Sequence, residues 1–200
     1  MSELRLLEHP ILGLYEQSST QFSGDKIKFK KMRCSEIFNL QIKSDDHNSF
    51  SLVESKLKVK LPQEPNTTEK IKDFNSTIFW LGPYEWLFVS HDNSNCLDKF
   101  MFSECREYNM SWTDISDSRI VISLSGYDAQ AVLEKGCPLD FHHDVFLVNS
   151  CAQSLIGQAS VLIHRISCEN VNESSWMIYT DLSYAAYLWA WLNDAVSEYI

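Results

Sequence analysis

The sequence predicts an α+β fold in which the two halves follow the same order of elements: strand, helix, strand, strand, helix, strand. Three observations predict it: an aromatic hairpin around Gly82-Pro83, alternating apolar residues in the other strands, and helical spacing of apolar residues between them. This order is that of the split β-α-β unit of ferredoxin-like folds. We therefore expect a single domain at 26–200 of two ferredoxin-like pseudo-repeats, about 26–116 and 117–200, preceded by an N-terminal arm at 1–25.

The hairpin at residues 78–89 organises the first pseudo-repeat. Two apolar, aromatic-rich runs flank the break Gly-Pro-Tyr-Glu, in which Pro83 fixes φ for a tight turn. Along the first run Phe79 lies on one face and Trp80 on the other. Because both faces are apolar, the hairpin is either covered on both sides or leaves one face for a partner.

Shorter patterns predict the remaining elements of the first half. The arm is polar and rich in turn residues, so it is either loosely held or ordered by a partner. Ile27 and Phe29 alternate with lysines, which is typical of an edge strand. The other expected elements are strands at 37–42 and 110–115, helices at 49–59 and from Asn95 to Tyr108, and an exposed connection at 61–72.

The second half is predicted from the same patterns. Strands are expected at 120–126, 159–166 and 175–180, with helices at 128–135 and 183–199. Residues 137–158 form the longest irregular stretch, and long ordered loops are often functional.

In the last helix one stripe of apolar residues is predicted to be core. Its members are Tyr184, Tyr187, Leu188, Trp191, Leu192, Ala195 and Tyr199. The opposite face is small and nearly uncharged, with Ala186, Ala190 and Asn193 in a row and Trp189 at its edge. This face either meets a partner or reflects the helix propensity of Ala, with Trp189 folded back onto the domain.

Composition narrows the classes of function. A net charge of −10 disfavours binding to nucleic acid or to an anionic membrane. No N-terminal apolar stretch resembles a signal peptide, and the six cysteines show no paired spacing, so a cytoplasmic protein with reduced thiols is expected.

The search for a catalytic constellation finds only weak candidates. His142, His143 and Asp144 are potential ligands, but adjacent residues in a loop rarely converge on one metal ion. Cys151 lacks a frame that would lower its pKa, and no glycine-rich phosphate loop occurs. The chain is therefore not expected to be an enzyme by itself, nor to hold a cofactor or a metal.

Six motifs in order resemble the gamma subunit family of heterotetrameric sarcosine oxidase. They are WLGPYEWL (80–87), DISDSR (114–119), LSGYDA (124–129), KGCPLDFH (135–142), CAQSLIGQA (151–159) and SYAAYLWAWL (183–192). The sequence departs from the family at Tyr84, Phe141 and Ser154, where Asp, Leu and Thr are usual. Residues 114–129 also resemble the folate-binding domain of aminomethyltransferases, so the resemblance implies that fold.

The resemblance implies a noncatalytic, structural subunit. The complex would oxidatively demethylate sarcosine to glycine, reduce oxygen to hydrogen peroxide, and pass the one-carbon unit to tetrahydrofolate. Its FAD, FMN, NAD, folate site and metal would belong to other subunits, and the partners would be the alpha, beta and small delta subunits. Two alternatives remain open: a free-standing folate-binding or one-carbon-transfer protein that uses Asp114 or Glu85, and an assembly chaperone for the flavoprotein.

Three regions are expected to dock on the larger subunits: the outer face of the hairpin, the 137–158 loop and the small face of the last helix. Their residues are Trp80, Pro83, Tyr84, Trp86, His142, His143, Ala186, Trp189, Ala190 and Asn193.

Overall fold

Two antiparallel β-sheets stack face to face, and helices pack on both outer surfaces of the stack. The structure is a computed structural model. It describes residues 21–23, 26–32, 36–44, 46–90, 108–168 and 173–199. The helix predicted from Asn95 and most of the N-terminal arm lie outside these ranges.

The strands and helices follow in chain order. The strands are β1 (Gln21–Ser23), β2 (Ile27–Met32), β3 (Glu36–Ile42), β4 (Thr68–Ile71), β5 (Ser76–Gly82), β6 (Glu85–Ser90), β7 (Met110–Asp114), β8 (Arg119–Gly126), β9 (Cys151–Ile156), β10 (Ala159–Ile166) and β11 (Ser174–Asp181). The helices are α1 (His47–Leu57), α2 (Ala129–Glu134) and α3 (Ala185–Val196). Short 3₁₀ turns lie at 72–74, 116–118, 182–184 and 197–199.

The strand orders agree with the ferredoxin-like prediction and add an exchange between the halves. The five-stranded sheet has the order β4-β5-β6-β3-β7, and the six-stranded sheet has the order β1-β2-β8-β11-β10-β9. The second half has no strand after its last helix, and β2 from the first half occupies that position beside β8. Lys28 and Lys30 are exposed as expected, but β2 is not an edge strand, because β1 pairs with its other side.

The hairpin is covered on both faces. Trp86 and Phe88 pack towards α1, in one apolar layer with Val53. Phe79 and Leu87 point the other way, into the layer between the two sheets. The first of the two sequence alternatives is therefore the observed one, and the apolar faces of β5 and β6 are used internally.

Trp86 is accordingly a core residue, and its expected role in docking is wrong. Its side chain is 1% exposed, and its indole N–H donates a 2.7 Å hydrogen bond to the carbonyl of Pro62. The segment 61–72 is likewise not an exposed connection. Leu61 is buried, and Thr68–Ile71 forms the edge strand β4, whose central residues Glu69 and Lys70 face solvent and conceal the alternation.

Two more element predictions need correction. The end of the predicted 137–158 loop is strand β9, in which Cys151 and Ala152 are buried and pair with β10. Helix α1 begins two residues before the predicted start. Asp46 caps it by accepting a hydrogen bond from the backbone N–H of Ser49.

Gly126 ends β8 in a conformation that other residues strongly disfavour. Its φ is +131°, and a Cβ atom there would collide with the backbone carbonyl of Lys26. Gly82 has no such restriction, because the atom nearest to a Cβ added there would be 3.9 Å away.

We expect Gly126→Ala to lower the free energy of unfolding by about 2–4 kcal/mol in urea titration, since the substitution combines backbone strain with a steric clash.

Gly82→Ala is the matched control, for which we expect a change within about 0.5 kcal/mol. Equal losses of stability in the two variants would contradict the described pairing of β8 with the start of β2.

Candidate interaction surface

The loop between α2 and β9 is anchored by two buried aromatic side chains. Phe141 and Phe146 stack with their ring centroids 5.8 Å apart. Each also packs edge-on against Trp176, with centroids 5.2 Å apart. This segment is irregular in its backbone, but it is attached to the core at both of these positions.

Hydrogen bonds fix the backbone between the two anchors. The carbonyl of His142 accepts from the N–H groups of Val145 and Phe146, both at 2.9 Å. The Asp140 carboxylate accepts from the N–H of His142 at 2.9 Å, and the Arg165 guanidinium donates to the carbonyl of Phe146. The turn at 140–146 is thus closed by its own contacts, and its outward side chains have a defined backbone.

The same loop exposes three aliphatic side chains. Val145, Leu147 and Val148 are 62%, 57% and 46% exposed, respectively. Single exposed aliphatic residues are common, but three within four positions of one anchored loop are typical of a surface that a partner covers. We call these three residues the apolar loop surface. None of the three is among the residues that the sequence predicted to dock. The sequence indicates them only as aliphatic side chains within an irregular stretch.

The expected docking residues His142 and His143 lie next to this surface. Both imidazoles are exposed, as is the Asp144 carboxylate beside them. The loop therefore presents polar and apolar side chains together.

The hairpin turn offers a smaller exposed area. Pro83 and Tyr84 are exposed, the latter at 42%, whereas Trp80 is half-buried. Pro83 and Tyr84 border a shallow hollow of 360 Å³ together with Phe50 of α1. Only the tip of the hairpin is available to a partner.

The small face of α3 is partly occupied by the chain itself. The Trp189 ring packs edge-on against Phe29 of β2, with centroids 4.9 Å apart, so it folds back onto the domain. Ala186 is half-buried, while Ala190 and Asn193 are exposed. The predicted core stripe is correct for Leu188, Leu192 and Ala195, but Tyr187 is exposed and its hydroxyl instead accepts from the N–H of Gln158.

The carboxylates that a pterin ring would need are engaged elsewhere. Glu85 accepts hydrogen bonds from the amides of Asn39 and Gln41, and Asp114 accepts from the N–H and hydroxyl of Ser116. Two grooves of 490 and 470 Å³ open between the sheets, and neither is lined by Glu85 or Asp114.

No helix in the described ranges is both long enough and apolar enough to span a membrane.

Comparison with known proteins finds similarity to sarcosine oxidase gamma subunits. Residues 47–198 match the model of the sarcosine oxidase, gamma subunit family. Curated sarcosine oxidase gamma subunits from Corynebacterium sp. strain U-96 and from Arthrobacter sp. are 33% and 30% identical over 124 residues. Those alignments cover 62% of this chain and 58% of each relative, so the chain matches under two thirds of their length.

Solved structures extend the similarity to nearly the whole chain. A chain of the heterotetrameric sarcosine oxidase from Corynebacterium sp. U-96, in complex with pyrrole 2-carboxylate, is 25% identical with a TM-score of 0.76, covering 90% of this chain and 89% of that one. Aminomethyltransferase T of the glycine cleavage system from Bartonella henselae is 12% identical with a TM-score of 0.68, covering 96% of this chain and 57% of that one. The second match concerns the fold alone and confirms the predicted aminomethyltransferase-like fold.

Cys151 has the burial and the thiol pKa of a packing residue. Its side chain is 1% exposed in the layer between the sheets, and burial raises the pKa of its thiol from 9.0 to about 12. The thiolate is the nucleophilic form of cysteine, so a raised pKa opposes a catalytic role. Cys168, in contrast, is exposed.

We expect alkylation at pH 8 to modify Cys168 at least about tenfold faster than Cys151 in the native chain, because only the first thiol is accessible. In denaturant the two rates should converge, as measured by peptide mass mapping. Equal native alkylation rates would contradict the burial of Cys151.

From pH 9.0 towards 12 the Cys151 thiol ionises in the unfolded chain but not in the folded one, so the free energy of unfolding should fall as pH rises.

Proposed function

The chain belongs to the sarcosine oxidase gamma subunit family, and from this premise we propose that it is the gamma subunit of a heterotetrameric sarcosine oxidase. The complex would oxidise sarcosine to glycine, reduce oxygen to hydrogen peroxide, and pass the released one-carbon unit to tetrahydrofolate. The observation that carries the proposal is the family match over residues 47–198, which includes eight of the described strands, β4 to β11, and the three helices α1 to α3.

Within that complex, the chain's proposed role is structural. The buried Cys151 thiol and the engaged carboxylates of Glu85 and Asp114 support this role, because none of them is set up for proton or group transfer. FAD, FMN, NAD and tetrahydrofolate would then be held by other subunits. The partners would be the alpha, beta and delta subunits, in the cytoplasm, and residues 26–200 would act as one domain.

The apolar loop surface is the proposed centre of docking on a larger subunit. Interface centres are formed by side chains that lose water completely on binding, and the three exposed aliphatic residues of this loop would do so without leaving a polar side-chain group unpaired. His142 and His143 would contribute the polar rim. Tyr84 with Pro83, and Ala190 with Asn193, would form smaller contacts, to which the half-buried Trp80, Ala186 and Trp189 add their exposed edges.

Co-purification tests the proposed function directly. The tagged chain, isolated from its native cell, should bring larger flavin-containing subunits with it, and the preparation should release peroxide when sarcosine is added. If the tagged chain purifies alone, lacks peroxide release and binds tetrahydrofolate, the free-standing folate-binding alternative is correct instead.

A pair of charge variants locates the docking surface. Val145→Asp combined with Leu147→Asp should reduce recovery of the larger subunits at least about tenfold, because a buried, unpaired carboxylate opposes association. Tyr127→Asp is the control, since Tyr127 is also strongly exposed but lies outside the loop. Both variants should unfold at the temperature of the parent chain, and equal recovery from both would contradict the proposed surface.

A further inference from the structure

The tripeptide His142-His143-Asp144 brings three metal-binding side chains together. One donor atom from each residue lies within 4.8 Å of the other two. Oδ1 of Asp144 is 3.3 Å from Nε2 of His143, and Oδ2 is 3.6 Å from Nδ1 of His142. That Nδ1 also accepts a long, 3.4 Å hydrogen bond from the Asp144 N–H, which an ion bound at this nitrogen would replace. The three side chains therefore lie closer together than the sequence argument about adjacent loop residues anticipated.

These distances resemble those between ligands that share one ion. Zinc bonds to imidazole nitrogen and carboxylate oxygen are about 2.0–2.2 Å long, so neighbouring ligands of a tetrahedral site lie about 3.3–3.5 Å apart. Each imidazole already lies near that distance from one oxygen of the Asp144 carboxylate, His143 from Oδ1 and His142 from Oδ2. A shared ion would draw the donors, now within 4.8 Å of one another, closer by rotation of these exposed side chains. Two imidazoles with one carboxylate are a donor set that suits divalent zinc, copper or nickel.

The backbone that carries these donors is held before any ion binds. The two N–H groups that bond the His142 carbonyl, and the Asp140 carboxylate that accepts from the His142 N–H, close the turn. The Arg165 guanidinium donates to the carbonyls of His143 and Phe146 and lies over the Trp176 ring.

We propose that His142, His143 and Asp144 form a solvent-facing site for one divalent transition-metal ion, with zinc as the reference ion. The three side chains are 53%, 67% and 75% exposed, so water completes the coordination and the ion exchanges readily. The chain's net charge of −10 favours the approach of a cation. The three ligands all come from this chain, so the ion can bind without a partner; in the complex His142 and His143 would lie at the solvent-accessible rim of the proposed docking surface.

Calorimetric titration of the full chain with zinc chloride, in the assembly in which it purifies, tests the site. We expect His142→Ala combined with His143→Ala to remove one bound ion per chain, and Asp144→Asn to weaken its binding at least about tenfold. His47→Ala is the matched control, because His47 is exposed at the start of α1 and should leave the titration unchanged. Comparison of variants separates this site from any other zinc in the preparation.

Electron paramagnetic resonance with copper provides a second measurement. The parent chain should show a signal with nitrogen hyperfine coupling that the double histidine variant loses. The proposal is overturned if the parent chain and the double variant bind zinc with the same stoichiometry and affinity, whether or not the complex releases peroxide with sarcosine.

Discussion

The apolar layer between the two sheets is the interaction on which the rest of the structure depends. Phe79, Leu87 and Val89 enter it from the five-stranded sheet, and Leu162 and Tyr179 enter it from the six-stranded sheet. The rings of Phe79 and Tyr179 meet edge-on with centroids 5.1 Å apart. This layer uses one face of each sheet, and the helices cover the opposite faces. Both faces of the aromatic hairpin are therefore buried in internal packing.

The same constraint shapes the proposed function. An apolar surface offered to a partner must lie outside the sheets, and the anchored loop with Val145, Leu147 and Val148 meets that condition. The two phenylalanines of the loop point inward, which leaves its aliphatic residues outside. In the proposed role the domain would contribute a rigid, shaped surface to an assembly, while the Cys151 thiol, with its raised pKa, stays neutral within the core.

Local patterns predicted much of this fold, and nonlocal pairing accounts for what they missed. The two-residue turn at Pro83-Tyr84 and the alternation in β8 are local signals, so the hairpin and the order of elements could be predicted. The exchange of β2 into the second sheet depends on a distant partner, which no local pattern encodes. Strand β9 was missed because Leu155 is apolar on its exposed face and Ser154 is polar on its buried face, so the sequence does not show the alternation.

The candidate surface was predictable as a loop but not as a set of residues. In the sequence, Trp86 and Tyr84 are both aromatic residues near the hairpin turn. The tertiary contact with Pro62 is what shows that Trp86 belongs to the core. Trp189 is similar, because its packing partner Phe29 lies in β2, far away in the sequence. Which side chains remain outside is decided by tertiary packing, and a single sequence does not contain that information explicitly.

Hydrogen exchange measured on the free chain and on the assembled complex tests whether the sheets serve packing and the anchored loop serves docking. We expect slower exchange in the complex at residues 142–149, with little change across the already protected strands β5 and β6. Slower exchange confined to the central hairpin strands, with the loop unchanged, would contradict this expectation.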